Sequence, residues 1–171
     1  MPAKTNPMAE ALTTILSFLG EIGLRASEGP VPPGSFLPGI RIAHGTLVFD
    51  RAALRWPGDL LHEAGHIAVT PASLRPTLDD ALDPSHSAPH GGEVEAMAWA
   101  YAASVHLELD PKVLFHEGGY HGHSEGLILT YGQGVYPGAS GLAEAGMTFA
   151  PEDARHAGVA PYPRMARWLR E

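Results

Sequence analysis

The most constraining feature of the sequence is the segment His62-Glu63-Ala64-Gly65-His66, which lies within an apolar run. Residues four positions apart lie one above the other on an α-helix, so the imidazoles of His62 and His66 would face the same side. Gly65 would permit close approach of a neighbouring backbone or a ligand. The apolar residues that would bury the rest of the helix are Leu60, Leu61, Ile67, Ala68 and Val69.

The spacing of these residues also predicts a chemistry. Two histidines separated by a glutamate and two further residues are typical of a helix that binds zinc. Zinc lowers the pKa of a bound water to about 7, and the carboxylate of Glu63, next to a ligand, could accept the proton of such a water. We therefore predict His62 and His66 as zinc ligands and Glu63 as a general base. The alternative is a half-buried helix whose two histidines have hydrogen-bond partners within the protein and bind no metal.

A catalytic zinc site needs a third protein ligand and leaves a fourth position open. Residues 93–106 are rich in alanine and contain neither proline nor glycine, which predicts a second helix that begins near Gly92. On that helix Glu93 shares a face only with alanines, so the helix could pack closely and offer one carboxylate. Glu93 is the predicted third ligand of a single zinc ion. The alternatives are Glu95, about 160° away around the helix, and the loop residues His86 and His90.

Together, His62-Glu63-x-x-His66 and the downstream Glu93-x-x-Ala96-x-x-Trp99-Ala100 resemble the gluzincin metallopeptidases, most closely the small ImmA/IrrE-type bacterial peptidases. The resemblance covers about residues 36–107 and departs from the family pattern at Met97, where Asn or Asp is common. It implies a zincin-like fold, zinc on His62, His66 and Glu93, Glu63 as general base, and a peptide or protein substrate. It also implies that a strand edge beside the metal helix receives the substrate as an added β-strand.

The remaining pattern predicts an α+β domain spanning residues 1–171, with helices that carry the metal site packed against a small β-sheet. Asn6 and Pro7 can cap and begin an amphipathic helix. Ile40–Ala43 and Thr46–Phe49 predict two strands of a hairpin around His44-Gly45. This hairpin is the only local candidate for the substrate-binding edge.

The C-terminal third contains a glycine-rich loop, residues 116–125, with three histidines, two glutamates and a tyrosine. Tyr120, His121 and His123 are candidates for a donor to the charge that develops during hydrolysis, or for a second metal site. The alternative is an exposed surface loop. Beyond it, Met165, Trp168 and Leu169 predict the apolar face of a closing helix over residues 162–170.

Composition excludes some classes of function. The formal charge of −8 and the 11 scattered Lys and Arg residues argue against nucleic acid as a partner. No apolar run approaches the roughly 20 residues that a membrane span needs. The absence of cysteine excludes disulfides and thiolate metal sites and is compatible with a cytoplasmic location, whereas the oligomeric state does not follow from the sequence.

These observations predict a zinc-dependent hydrolase, with a peptide bond as the expected target. The alternative is a non-catalytic zinc-bound binding or regulatory module on the same scaffold. A purely structural zinc site has no use for Glu63 and normally fills its fourth position with protein, so the sequence favours the hydrolase.

Overall fold

The computed structural model describes residues 6–79 and 92–171 and has a mixed α+β architecture. Within these ranges a three-stranded sheet packs beside a group of helices. The strands are β1 (Ala26–Glu28), β2 (Ile40–Ala43) and β3 (Thr46–Phe49). The helices are α1 (Pro7–Glu21), α2 (Gly58–Val69), α3 (Glu93–His106), α4 (Pro111–Leu114), α5 (Ser124–Gly132), α6 (Ala139–Glu144) and α7 (Pro151–Ala157).

Helix α1 begins as its sequence predicts. The side chain of Asn6 accepts a hydrogen bond of 3.1 Å from the backbone N–H of Met8, and Pro7 occupies the first helical position. This cap satisfies one of the backbone donors that a helix start leaves unpaired. The buried face that anchors α1 to the core consists of Ala11, Leu12, Ile15, Phe18 and Leu19.

The predicted hairpin is confirmed, with both strands at the predicted residues. Strand β3 lies in the middle of the sheet, antiparallel to β2 and parallel to β1. His44 and Gly45 both have positive φ angles, of 47° and 70°, as a two-residue turn of this kind requires. Because β3 is the middle strand, β2 is an edge strand of the sheet. Its residues Ile40 and Ile42 are buried, and β2 contacts α2, the helix that carries the histidine motif.

Helices α2 and α3 form the most extensive packing between any two described elements. Their contact is close because Gly65 faces the backbone of Ala96. A Cβ atom at Gly65 would lie 2.5 Å from the carbonyl oxygen of Ala96, so any side chain there would push the helices apart. Five alanines of α3 are also fully buried, Ala96, Ala98, Ala100, Ala102 and Ala103. Small side chains thus set the spacing of the two helices.

The C-terminal end of α2 is held by distant parts of the chain. The guanidinium of Arg75 donates to the carbonyl oxygens of Ile67 and Thr70, each at 3.2 Å, and the backbone N–H of Arg170 donates to the carbonyl of Ala68. A cation near the last carbonyls of a helix also interacts favourably with the negative end of the helix dipole. These contacts stabilise the helix end one turn beyond His66.

The prediction of a closing helix over residues 162–170 is wrong. This segment consists of turns and bends, with one bridge from Met165 to Thr148. Most of its backbone hydrogen bonds go to distant carbonyls: the N–H of Ala166, for example, donates to Met147 at 2.8 Å rather than to a carbonyl four residues earlier. The indole of Trp99 donates to the carbonyl of Trp168, also at 2.8 Å. Tertiary hydrogen bonds therefore replace the helical ones.

No helix in the described ranges combines the length and the apolar character that crossing a bilayer requires. The longest helix, α1, has 15 residues, short of the roughly 20 that a typical bilayer core demands.

Candidate metal centre

The histidine motif lies on α2, and the structure brings its two imidazoles together with the carboxylate of Glu93. Nε2 of His62 lies 3.0 Å from one Glu93 oxygen, and Nε2 of His66 lies 3.2 Å from the other. The two Nε2 atoms are 3.3 Å apart. The three side chains that the sequence predicts as zinc ligands therefore converge on one point.

The convergence follows from the local fold. His62 and His66 are one turn apart on α2, and Glu93 is the first residue of α3, directly after the N-cap residue Gly92. Glu93 lies almost one turn before Ala96, which packs on Gly65 between the two histidines. The close helix contact at Gly65 thus carries the first turn of α3, with its carboxylate, to the two imidazoles.

These distances test whether the residues suit a metal ion. In a tetrahedral zinc site with bonds of about 2.0–2.1 Å, neighbouring ligand atoms lie about 3.3 Å apart. The three separations, between 3.0 and 3.3 Å, are close to that value, with each imidazole facing a different oxygen of Glu93. Two imidazoles and one carboxylate are also donors that zinc accepts, and together they leave a fourth position open. The residues present therefore fit a catalytic type of zinc site.

Glu63 completes the cluster. One carboxylate oxygen of Glu63 and one ring nitrogen from each of His62 and His66 all lie within 4.8 Å of one another. Because Glu63 directly follows His62 on the helix, its carboxylate lies beside the row of imidazoles rather than in it. It is thus close enough to act on a molecule held by the ligands.

The charges of the site favour a cation. Hydrogen bonds from His62 and then His66 hold the pKa of the Glu93 carboxyl far below its ordinary value, so Glu93 is ionised. Burial, the largest influence on His62, would lower the pKa of its imidazole. The hydrogen bond to Glu93 and the charges of Glu93, Glu63 and Asp59 oppose burial, and the pKa is raised overall. The carboxylates around His62 thus favour positive charge at this point, which a metal ion bound to neutral imidazoles could supply.

The site opens into a pocket of about 230 Å³. The two imidazole side chains are only 12 % and 14 % exposed, whereas the Glu93 side chain is 61 % exposed. One part of the wall is polar and the other is apolar. The residues that line the pocket are Phe36, Leu37, Ile40, His62, Glu63, His66 and Glu93.

Of the three candidates in the glycine-rich loop, Tyr120 reaches the site. Its ring meets the ring of His62 edge to face, with centroids 5.9 Å apart. Burial raises the pKa of the Tyr120 phenol well above its ordinary value, and the charges of Asp59 and Glu93 add to this effect. The phenol therefore keeps its proton, and its ring packs beside the candidate metal centre.

The other loop candidates lie differently. His121 and His123 are exposed. Among the described residues, the cluster of three or more His, Asp or Glu side chains that could hold a metal contains His62, Glu63 and His66, with Glu93 in contact with both imidazoles, and it includes neither loop histidine. A second metal site from the loop stays a prediction. Of the alternative third ligands, Glu95 lies against Gly141 of α6, where an added Cβ would be 2.6 Å from a Glu95 oxygen. His86 and His90 lie outside the described residues.

A buried pair near the site involves two residues that the sequence does not predict as partners. Nε2 of His116 and a carboxylate oxygen of Asp59 are 2.8 Å apart, and both side chains are almost fully buried. The His116 ring stacks on Trp56, with centroids 4.6 Å apart. Gly118 and Gly119 pass so close to these two rings that a Cβ at either would lie within 3.0 Å of one of them. The pair fixes the start of the loop that carries Tyr120.

A weak signal for this pair exists in the sequence. Asp59 precedes His62 by three positions and therefore lies on the same side of α2 as the predicted metal ligands. A carboxylate inside an apolar helix start needs a partner, because an unpaired buried charge is costly. The identity of that partner, 57 positions away, could not be read from spacing.

Comparison with known proteins gives no matching family model, no matching curated protein and no matching solved structure. The likeness to gluzincin peptidases thus depends on the motif residues alone. A function for this chain is accordingly inferred from the geometry around His62, His66, Glu93 and Glu63.

Proposed function

We propose that the chain is a zinc-dependent hydrolase that cleaves peptide bonds. The observation that carries this proposal is the convergence of His62, His66 and Glu93 within 3.0–3.3 Å of one another, with the Glu63 carboxylate beside them. When bound by these three side chains, zinc would supply a Lewis acid and would lower the pKa of a water to about 7.

The general base in this proposal is Glu63. One of its carboxylate oxygens accepts a proton from the attacking water and later gives that proton to the departing amide nitrogen. Tyr120 donates a hydrogen bond from its phenol to the oxygen of the carbonyl under attack, where negative charge develops. Glu93 is ionised, so its carboxylate and the Nε2 atoms of His62 and His66 are the three groups that would hold zinc.

Two features favour turnover over a structural zinc site. Three protein ligands leave a fourth position open, whereas structural sites normally fill all four with protein. The centre also opens into a pocket that has room for a substrate group. The choice of a peptide bond over other hydrolysable bonds is supported by the resemblance to gluzincin peptidases.

The proposal is tested with four proteins: wild type, Glu63→Gln, Glu93→Gln and Glu95→Gln. Glu95→Gln is the matched control, because Glu95 lies on the same helix as Glu93 but packs against α6 instead of the imidazoles. Zinc content is measured after dialysis, and cleavage of a mixed library of synthetic peptides is followed by mass spectrometry.

We expect wild type and Glu95→Gln to hold one zinc and to cleave peptides. Glu63→Gln should keep its zinc and lose at least about 100-fold in the cleavage rate, because the ligands remain but the base is gone. Glu93→Gln should lose zinc. The proposal is wrong if zinc-loaded wild type and Glu63→Gln are equally inactive, since the zinc site would then be a binding module. Unchanged zinc affinity in Glu93→Gln would remove Glu93 from the ligand set.

A further inference from the structure

The pocket at the metal centre has one wall without any polar side chain. This apolar wall is formed by Phe36, Leu37 and Ile40 and faces the polar residues of the centre. Phe36 is 90 % exposed, the most exposed large hydrophobic side chain among the described residues. A single exposed apolar side chain is common, but one that continues an apolar wall beside a polar centre marks a surface that a ligand can cover.

The apolar wall is held in place by the backbone. Leu37 and Ile40 form an isolated bridge, and the carbonyl of Gly39 accepts a hydrogen bond of 2.9 Å from the N–H of Asp50. Gly39 has a φ of 74°, and a Cβ atom there would lie 2.3 Å from the backbone nitrogen of Leu54. The turn that presents Phe36 is thus anchored to the segment after β3. An apolar surface fixed before binding loses less conformational entropy when it is covered.

The charges and the size of the pocket restrict the kind of substrate group that it can bind. Its lining residues in the described chain include two carboxylates, Glu63 and Glu93, and no Lys or Arg. An acidic side chain of the substrate would find no Lys or Arg on the walls to pair with. The volume, about 230 Å³, is below the range of roughly 300–1,000 Å³ of clefts for drug-sized ligands. It suits one side chain together with the peptide group that reacts.

We propose that the apolar wall of Phe36, Leu37 and Ile40 binds an apolar side chain of the substrate next to the scissile bond, so that the enzyme selects peptides with an aliphatic residue there. This specificity depends on the proposed hydrolase. Contact with the wall removes apolar surface of both partners from water, which should favour an aliphatic side chain roughly 10- to 100-fold over no side chain.

The test measures binding rather than turnover. Three zinc-chelating probes are titrated into the zinc-loaded protein by calorimetry: acetohydroxamic acid, a hydroxamic acid that carries an isobutyl group, and one that carries a carboxymethyl group in the same position. The variant is Phe36→Ala, which removes an exposed side chain and should not disturb folding. The matched control is Leu129→Ala, because Leu129 is also apolar and 61 % exposed but lies outside the pocket lining.

We expect the isobutyl probe to bind wild type at least about tenfold more tightly than acetohydroxamic acid, and the carboxymethyl probe to show no gain. Phe36→Ala should reduce the gain of the isobutyl probe about threefold or more and leave acetohydroxamic acid unchanged, whereas Leu129→Ala should alter neither. Equal binding of the isobutyl probe and acetohydroxamic acid, or a gain that survives in Phe36→Ala, would overturn the specificity while leaving the zinc site intact. If none of the three probes binds the zinc-loaded protein, the zinc has no open position, and the proposed hydrolase and the specificity both fall.

Discussion

Two segments of the chain combine histidine, glutamate and glycine, and the structure treats them in opposite ways. On α2, His62 and His66 lie 3.3 Å apart at Nε2 and share the carboxylate of Glu93. In the loop over residues 116–123, His116 is buried against Asp59 while His121 and His123 are exposed. A similar composition thus gives a candidate metal centre in one place and a dispersed set of side chains in the other.

The difference comes from the backbone. A helix repeats every 3.6 residues, so a spacing of four fixes the relative positions of two side chains before any tertiary contact forms. The loop has no such repeat, since Tyr120, His121 and Gly122 all have positive φ angles, of 56°, 52° and 81°. Side chains in such a segment are directed by individual contacts, like those of His116 with Asp59 and Trp56.

The largest effect that would test this contrast is on zinc affinity. His62→Ala should weaken zinc binding by more than about 100-fold, because loss of a ligand costs more than the 10- to 100-fold typical of its supporting residues. His123→Ala should leave the affinity unchanged. Competition with a chromogenic chelator measures both. Comparable losses in the two variants would mean that the loop contributes a ligand.

The next effect is on stability and concerns the buried pair. Asp59→Ala should lower the free energy of unfolding by about 3 kcal/mol, because it leaves buried His116 without its partner. The control is Glu28→Ala, which breaks the half-exposed pair with Arg51 and should cost less than about 1 kcal/mol. Urea unfolding of the zinc-free proteins measures both values. Equal values would show that the pair does not anchor the loop.

A smaller, purely catalytic effect is expected at Tyr120. Tyr120→Phe removes the phenol that donates to the developing charge and should lower kcat about 100-fold with zinc affinity unchanged. The matched variant is Tyr136→Phe, because Tyr136 packs on Tyr162 away from His62, and its kcat should stay within about twofold of wild type. Peptide cleavage under saturating substrate gives kcat. An unchanged kcat in Tyr120→Phe would reduce Tyr120 to a packing residue.

The smallest effect concerns the two exposed loop histidines. Replacement of both His121 and His123 by alanine should change the free energy of unfolding by less than about 0.5 kcal/mol. Zinc content and kcat should remain those of wild type. A loss of a second equivalent of metal, or a fall in kcat, would restore the loop as a metal-binding or catalytic element.

The parts of the fold that the sequence predicts are those governed by local rules. Asn6-Pro7 marks the start of α1, His44-Gly45 marks the hairpin turn, and the alanine-rich run marks α3. The approach of Glu93 to the two histidines depends in addition on one long-range contact, the close packing of Gly65 on Ala96.

The parts that could not be predicted depend on distant partners. Residues 162–170 have apolar side chains at helical spacing, but their backbone bonds to Met147 and to Ala68 of α2. The pairing of Asp59 with His116 joins two segments 57 positions apart. The position of Tyr120 follows from that pairing and from glycines whose contacts are visible only in three dimensions.

The most direct test of the candidate metal centre is X-ray absorption spectroscopy of the zinc-loaded protein at the zinc edge. The geometry of His62, His66 and Glu93 predicts two imidazole nitrogens, one carboxylate oxygen and one further light-atom ligand, at about 2.0–2.2 Å. A spectrum with three or more imidazoles would show that a further histidine, from the loop over residues 116–123 or from His86 and His90, joins the site. A protein that binds no zinc would contradict the assignment of His62, His66 and Glu93 as a metal centre.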